Sequence, residues 1–257
     1  MKSTDNQDNL LCLKEFYAKT FPNGKCPKKA LCDINNDSNF SKRPKEAYVG
    51  RNYGMDKNVP KILFVSLDSG EYEEGYSTFE EIRDREEKNP PLKVYGKGNH
   101  WYQTFDIAKL LLEPFLNGSF IKEEDFYSDS YFAHTNSAKC TQNKEGRAEA
   151  DLRLFMNCRE FVKSEIELYN ADVIISQGNR ANEIMLFFPQ ISDPVVFTAN
   201  DSNRKLYVYE RIINNKSVLH IRMYHPRYGV YWKQKKAIGD NIIEITKLIK
   251  SIITKSH

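Results

Sequence analysis

The sharpest switch from apolar to polar along the chain is Lys61-Ile-Leu-Phe-Val-Ser-Leu-Asp68-Ser-Gly70. Ile62 to Val65 is a solid apolar run, and a small polar turn follows it at once. The pattern predicts a buried strand whose C-terminal end delivers Asp68 and Gly70 to a crevice, where open α/β sheets hold their ligands. Upstream, Leu11, Leu13, Phe16, Tyr17 and Phe21 recur at helical spacing, so a helix is expected over Leu10 to Phe21, ended by Pro22-Asn23-Gly24. From Asp33 to Pro60 the chain is polar and aperiodic, and reads as a long surface connection tied down by Tyr48, Val49 and Tyr53.

After the Asp68 turn, Tyr76 to Lys88 reads as a charged helix broken by Asn89-Pro90-Pro91. Trp101, Phe105, Ala108, Leu112 and Phe115 mark the apolar stripe of a further helix. Tyr131 to Thr135, Asp172 to Ser176 and Val195 to Thr198 read as strands. Asp151 to Tyr169 and Ala181 to Phe188 read as helices. Leu206 to Ile213 and Val218 to Met223 suggest an irregular hairpin around Asn214-Asn215-Lys216, and one final helix carries Ile238, Ile242, Ile245, Ile249 and Ile252. Strands separated by helices predict a three-layer α/β/α sandwich with a central, mostly parallel, four-stranded sheet. We expect one domain over 1–257, with 1–60 as an N-terminal helix, cysteine loop and connection, and 61–257 as the α/β core.

Composition changes this picture little. A length of 257 residues, 40% hydrophobic and 28% charged, suits a globular chain with a full core. A formal charge of +3 permits nucleic-acid binding only if basic groups cluster. The absence of a membrane-length apolar run and the polar start Met1-Lys-Ser-Thr-Asp point to the cytosol, where cysteines are more often free, catalytic or metal-bound than paired.

Candidate chemistry sits at the strand ends. Asp68, Asn136 and His225 each follow a predicted strand. Singly they read as turn or cap residues, but at the C-terminal ends of one sheet they would share a face. Cysteines form a second constellation. Cys26 and Cys32 fall in one compact loop, and Cys140 and Cys158 are separated by seventeen residues. Four thiolates suit an iron–sulfur cluster or a zinc ion, while unrelated buried thiols are the plain alternative.

These residues resemble the uracil-DNA glycosylase superfamily, most closely its iron–sulfur class. The class has a strand ending in Gly-Glu-Ala-Pro-Gly, matched here by Ser66-Leu67-Asp68-Ser69-Gly70. Its Thr-Asn-x-x-Lys-Cys is Thr135-Asn136-Ser137-Ala138-Lys139-Cys140, its Val-Ile strand is Val173 to Gly178, and its Tyr-His-Pro is Tyr224-His225-Pro226. The resemblance implies a DNA glycosylase, acting as a monomer on duplex or single-stranded DNA. It also implies a structural [4Fe–4S] cluster on Cys26, Cys32, Cys140 and Cys158, with Cys12 as a spare thiol able to replace Cys26 or Cys32. The first motif departs from the class: the family's Glu is Leu67, its Ala is Asp68 and its Pro is Ser69. Other branches carry an Asp or Asn at the position of Asp68 that assists attack by water.

In the implied chemistry, Asp68 supports the sugar cation and orients water, and His225 stabilises the departing base anion. Asn136 reads the pyrimidine edge, Trp101 or Tyr72 stacks on the base, and Gly70 allows close approach. Ser66, Ser69 and Gly70 could meet a phosphate, and Arg227, Tyr228 and Lys233 a DNA strand. The changed first motif leaves room for a modified pyrimidine other than uracil, as in foreign or phage DNA. The competing expectation is a non-catalytic DNA- or nucleotide-binding module. A phosphate-loop hydrolase is disfavoured because no Gly-Lys-Ser/Thr follows the turn.

Overall fold

A computed structural model describes residues 5–34, 40–41, 43–67, 78, 80–82, 84, 100–116, 131–141 and 150–255, with side chains from residue 10 onward. Asp68, Ser69, Gly70 and Tyr72 lie outside these residues, as does most of the helix expected over Tyr76 to Lys88. In chain order the elements are α1 (Asp5–Thr20), α2 (Lys29–Cys32), β1 (Tyr48–Val49), β2 (Ile62–Ser66), α3 (His100–Leu112), β3 (Phe132–Asn136), α4 (Leu152–Leu168) and β4 (Val173–Gln177). They continue with α5 (Asn179–Met185), β5 (Val195–Thr198), β6 (Lys205–Ile213), β7 (Lys216–Met223), α6 (Gly229–Asp240) and α7 (Ile242–Lys255).

The strands make one mixed sheet of seven, ordered β1-β3-β2-β4-β7-β6-β5. The expectation of a mostly parallel four-stranded sheet is corrected: only β3, β2, β4 and β7 run parallel, as the middle of a larger mixed sheet. The added strands are antiparallel: β1 on one edge, β6 and β5 on the other. β5 and β6 read as strands in the sequence, and the β6–β7 hairpin joins them to the sheet; β1 escapes the sequence pattern because Tyr48 and Val49 sit in a stretch without periodicity. That stretch is not a surface connection throughout. Tyr48 pairs with His134 in the sheet, and the Tyr53 hydroxyl donates to the Tyr169 carbonyl at 3.0 Å.

β2 is buried along its whole length because both its faces are covered. On one face Ile62, Phe64, Phe132, Val173 and Ile221 pack with α3, α6 and α7. On the other, Leu63, Val65 and Ile174 pack with Leu13 and Tyr17 of α1, Val162 and Ile166 of α4, and Ile184 of α5. A third, smaller core joins Phe40, Leu67, Cys32, Cys140, Leu154 and Phe155.

Two local expectations change. The β6–β7 hairpin is tight rather than irregular: Ile213 pairs with Lys216, and Asn214 and Asn215 take φ of 50° and 62°. Two left-handed residues match the twist of the strands they join, and asparagine tolerates that conformation. The final helix is two helices, broken at Asn241, whose Nδ2 donates to the carbonyls of Ala237 and Thr198 at 2.8 and 2.9 Å. The α4 start is as its sequence suggests, with the Asp151 carboxylate capping the Arg153 N–H at 3.0 Å.

Gly178, between β4 and α5, has φ of +107°, and a Cβ there would lie 2.7 Å from Leu67 Cδ2. Only glycine suits both demands. It lets the end of β4 approach the residue with which β2 enters its turn.

Candidate active site and cysteine pocket

Side chains alternate along a strand, so Ser66, His134, Asn136 and Gln177 fall on the α3 face of the sheet, at the C-terminal ends of β2, β3 and β4. α3 begins above them with His100, Trp101 and Thr104. Ser66 is the hub. Its Oγ donates to Gln177 Oε1 at 2.7 Å and lies 2.8 Å from His134 Nε2 and 3.2 Å from His100 Nε2. His100 Nε2 is also 3.1 Å from Gln177 Oε1, and Thr104 Oγ1 is 3.3 Å from the same oxygen. The serine has one proton, and it is directed at Gln177. Both imidazoles therefore present Nε2–H donors to this hub. Trp101 closes one side, with its ring centroid 4.5 Å from that of His134 and 5.6 Å from that of Tyr48.

His225 follows β7. His225-Pro226-Arg227-Tyr228 is a β-turn closed by the Tyr228 N–H on the His225 carbonyl at 3.0 Å, with proline at its favoured second position. The His225 ring stacks on His100 at 4.8 Å and 11°. Its Nδ1 accepts the Arg227 N–H at 3.3 Å, which leaves the proton of the neutral ring on Nε2. Burial pushes His225 down to about 3, helped by His100 and Arg227, and pushes His100 down to about 4. His134 is driven well below the usual range by burial, then by His100, Lys45 and Lys139. Three neutral imidazoles thus stand in a row, a donor-bearing but uncharged surface at neutral pH.

The loop after β3 holds the end of β2 in place. The Ser137 hydroxyl donates to the carbonyls of Ser66 and Leu67 at 2.6 and 2.9 Å, and the Ser137 and Ala138 N–H groups donate to the same two carbonyls. Lys139 turns inward, 1% exposed, with Nζ 2.5 Å from both Glu165 Oε1 and Thr135 Oγ1. Tyr17 of α1 donates to Glu165 as well. The stretch from Asn136 to Cys140 therefore serves three places: the polar cluster, a buried ion pair, and the cysteines.

Cys26, Cys32, Cys140 and Cys158 line one cavity of about 60 Å³, together with Phe21, Pro27, Leu154 and Phe161. They arrive from the loop before α2, from α2, from the loop after β3, and from α4. Cys140 hydrogen-bonds to Cys26, which lowers Cys26 to about 6 and raises Cys140 well above the usual thiol range. Burial pushes Cys158 up to about 11 and raises Cys32. Cys12 is exposed on α1 and does not line the cavity. Among the described residues, no three His, Cys, Asp or Glu side chains are grouped as a single metal ion requires. Four thiols around one apolar cavity are a donor set that an iron–sulfur cluster or a zinc ion can take.

Scanned against protein-family models and against curated proteins, the chain matches none. Among the described residues, no helix is long and apolar enough to cross a membrane.

Of the residues singled out in the sequence, the fold brings His225, Asn136 and Trp101 to one region, and gathers all four cysteines at another. Ser66 is corrected. It is fully buried and its hydroxyl belongs to the histidine hub, so it does not face a phosphate. Trp101 is partly core, packed on Tyr48 and Phe105 as well as on His134. Arg227, Tyr228 and Lys233 are exposed beside the His225 turn, with the Arg227 guanidinium 5.7 Å from the Tyr228 ring centre.

His100, His134, Thr104 and Gln177 were missed. A signal existed for two of them. His134 shares the parity of Asn136 in β3, and Gln177 is a polar residue closing an apolar strand just before a glycine.

A second serine–histidine contact lies on the opposite face and is inert. Arg211 Nε donates to His220 Nδ1 at 3.0 Å, so His220 carries its proton on Nε2, 2.6 Å from Ser176 Oγ. That ring cannot accept the serine proton. Ser176 donates to Asn182 instead.

Proposed function

We propose that the chain is a DNA glycosylase of the uracil-DNA glycosylase type, hydrolysing the N-glycosidic bond of uracil or another modified pyrimidine. The three-layer α/β/α architecture of that superfamily agrees with helices on both faces of a sheet whose centre is parallel. The observation that carries the reading is His225: a neutral imidazole with its proton on Nε2, stacked on His100 at the same end of the sheet where β3 ends in Asn136.

Breaking the bond leaves positive charge on the sugar and negative charge on the base. A fixed Nε2–H of His225 donates to the base oxygen where that charge develops, and a neutral donor gives up no proton of its own charge state to do so. Asn136 offers a donor and an acceptor to the base edge. Asp68, two residues beyond the hub serine in the sequence, is assigned to the sugar and the attacking water. Arg227, Tyr228 and Lys233 serve the strand that carries the base. Cys26, Cys32, Cys140 and Cys158 would hold a [4Fe–4S] cluster, whose part is to tie α2, the loop after β3 and α4 together.

The test is excision from a panel of oligonucleotides carrying uracil and modified pyrimidines, in single and double strands, with protein purified anaerobically. Wild type should release one or more bases. Asp68→Asn and His225→Ala should each lower the rate by about 10²–10³-fold. Absence of release from every substrate by folded, brown protein would sink the enzyme reading and favour a binding module.

A further inference from the structure

The polar cluster contains a group whose hydrogen-bonding capacity is only half used. Gln177 is fully buried at the end of β4, and its carboxamide is lopsided. Oε1 takes Ser66 at 2.7 Å, His100 at 3.1 Å and Thr104 at 3.3 Å. Nε2 is buried and has no partner among the described residues. Buried donors are almost always paired, and those left over mark strain or the place of a missing partner. The amide stands one ring away from His225, because the His100 ring that touches it is the ring on which His225 stacks.

A glutamine needed only to brace the histidines would be satisfied by its oxygen, and its NH₂ would be a liability there. Turned over, the amide would leave Oε1 and ask for a donor; in the orientation of the structure Oε1 takes the Ser66 proton and Nε2 is the head left over. The three imidazoles beside it are neutral at pH 7, and the charged groups that act on them, Arg227, Lys45 and Lys139, are cations that cannot accept. In this orientation the missing partner is therefore an acceptor. A ring carbonyl of a flat heterocycle has that chemistry, and it would stand among side chains that end in planar rings: His100, His225 and Trp101.

We propose that Gln177 is a specificity-determining residue, whose Nε2–H donates to a ring carbonyl of the base held at His225. The inference rests on the glycosylase reading for its substrate class. It goes beyond that reading by assigning base recognition to β4 as well as to Asn136 of β3. It makes the enzyme selective for a base with a carbonyl, against one with an amino group or hydrogen, at the ring position facing Gln177.

The experiment measures binding, so that it does not depend on catalysis. Oligonucleotides carry a 2′-fluoro sugar, which resists loss of the base, and one of three bases: uracil, pyrimidin-2-one or pyrimidin-4-one. The last two each lack one of the two ring oxygens. Affinities are compared by fluorescence anisotropy for wild type, Gln177→Met and Thr104→Val. Wild type should bind one of the two analogues at least about tenfold more weakly than uracil, as expected when a buried donor loses its acceptor. Gln177→Met should abolish that preference and leave the other analogue's ratio unchanged. Thr104→Val removes a hydroxyl that reaches the engaged oxygen and the His100 carbonyl but not Nε2, and should keep the preference.

Equal binding of all three bases by wild type overturns the inference. So does a Gln177→Met variant that weakens all three alike, which would mark Gln177 as a brace. If the preference is found and no base is ever excised from ordinary DNA, Gln177 still reads the base and the glycosylase reading falls alone.

Discussion

Three imidazoles kept neutral by burial make the protein acid-sensitive in a defined window. The folded values of His100, about 4, and His225, about 3, lie below the usual 6.5, so the unfolded chain binds more protons once pH drops under 6.5. Stability is full above that value and falls as pH decreases toward 4, where His100 begins to take its own proton. His100 alone accounts for roughly 3 kcal/mol at most across the window, since each pH unit of displacement is about 1.4 kcal/mol. Urea unfolding at a series of pH values from 7 to 4.5 should show the loss. His100→Gln, which keeps a donor where Nε2 was, should flatten the curve. An unchanged curve in the variant would mean that His100 is not the group responsible. Sequence gave warning of His225, through Tyr-His-Pro, but none of His100, because a histidine at the start of a helix looks the same whether its ring meets water or another ring.

At the scale of elements, the loop after β3 joins the two sites. Asn136 enters the polar cluster, Lys139 meets Glu165 of α4, and Cys140 meets Cys26. Removing one partner of a fully buried ion pair strands the other. Lys139→Met should cost about 3–5 kcal/mol in chemical denaturation, and Lys139→Met with Glu165→Leu should recover most of it. No recovery would show that the lysine acts through its packing on Tyr17 and Phe161, whose ring centres lie 5.8 and 5.7 Å from Nζ. The cysteine pocket gives a second expectation. Replacing any one of Cys26, Cys32, Cys140 or Cys158 by serine should remove the brown colour and most of an iron content of about four per chain. Cys12→Ser should leave both intact, because Cys12 is exposed on α1 and does not line the cavity. Iron loss in Cys12→Ser would redraw the ligand set.

For the whole molecule, a charge of only +3 means that the proposed DNA binding would have to come from where the basic groups sit. Arg227 and Lys233 flank the His225 turn, and Trp232, 45% exposed, continues the surface along α6. If each cation meets one phosphate, Arg227→Ala and Lys233→Ala should each reduce the slope of log affinity against log salt by about one, while weakening all sequences alike. A slope unchanged in both variants would move the DNA path away from α6. The mixed sheet supports this surface mechanically. The β6–β7 hairpin extends the parallel core, and α6 is held over it by Gln234, which accepts the Tyr224 N–H at 2.8 Å and donates to the Lys205 carbonyl at 3.2 Å. Tyr231 fastens α6 to α3 through the Gln103 carbonyl at 3.1 Å.

What the sequence determined by itself was local: the apolar runs of β2 and β4, the amphipathic stripes of α1, α4 and α7, and the proline, glycine and capping residues that end them. These follow from periodicity and from backbone preferences that act over a few residues, so they are readable in any window of the chain. It also held the spacing of Asn136, Lys139, Cys140 and His225. Tertiary structure alone decided that two buried residues in an aperiodic stretch would become the edge strand β1. It alone turned Ser66 from the surface to a hub of histidines, brought four cysteines from four segments to one cavity, and left Gln177 Nε2 without a partner among the described residues. Each of these depends on contacts between residues far apart in the chain. A buried polar side chain has no distinguishing mark in the sequence until the partner that satisfies it, or fails to, has been folded against it.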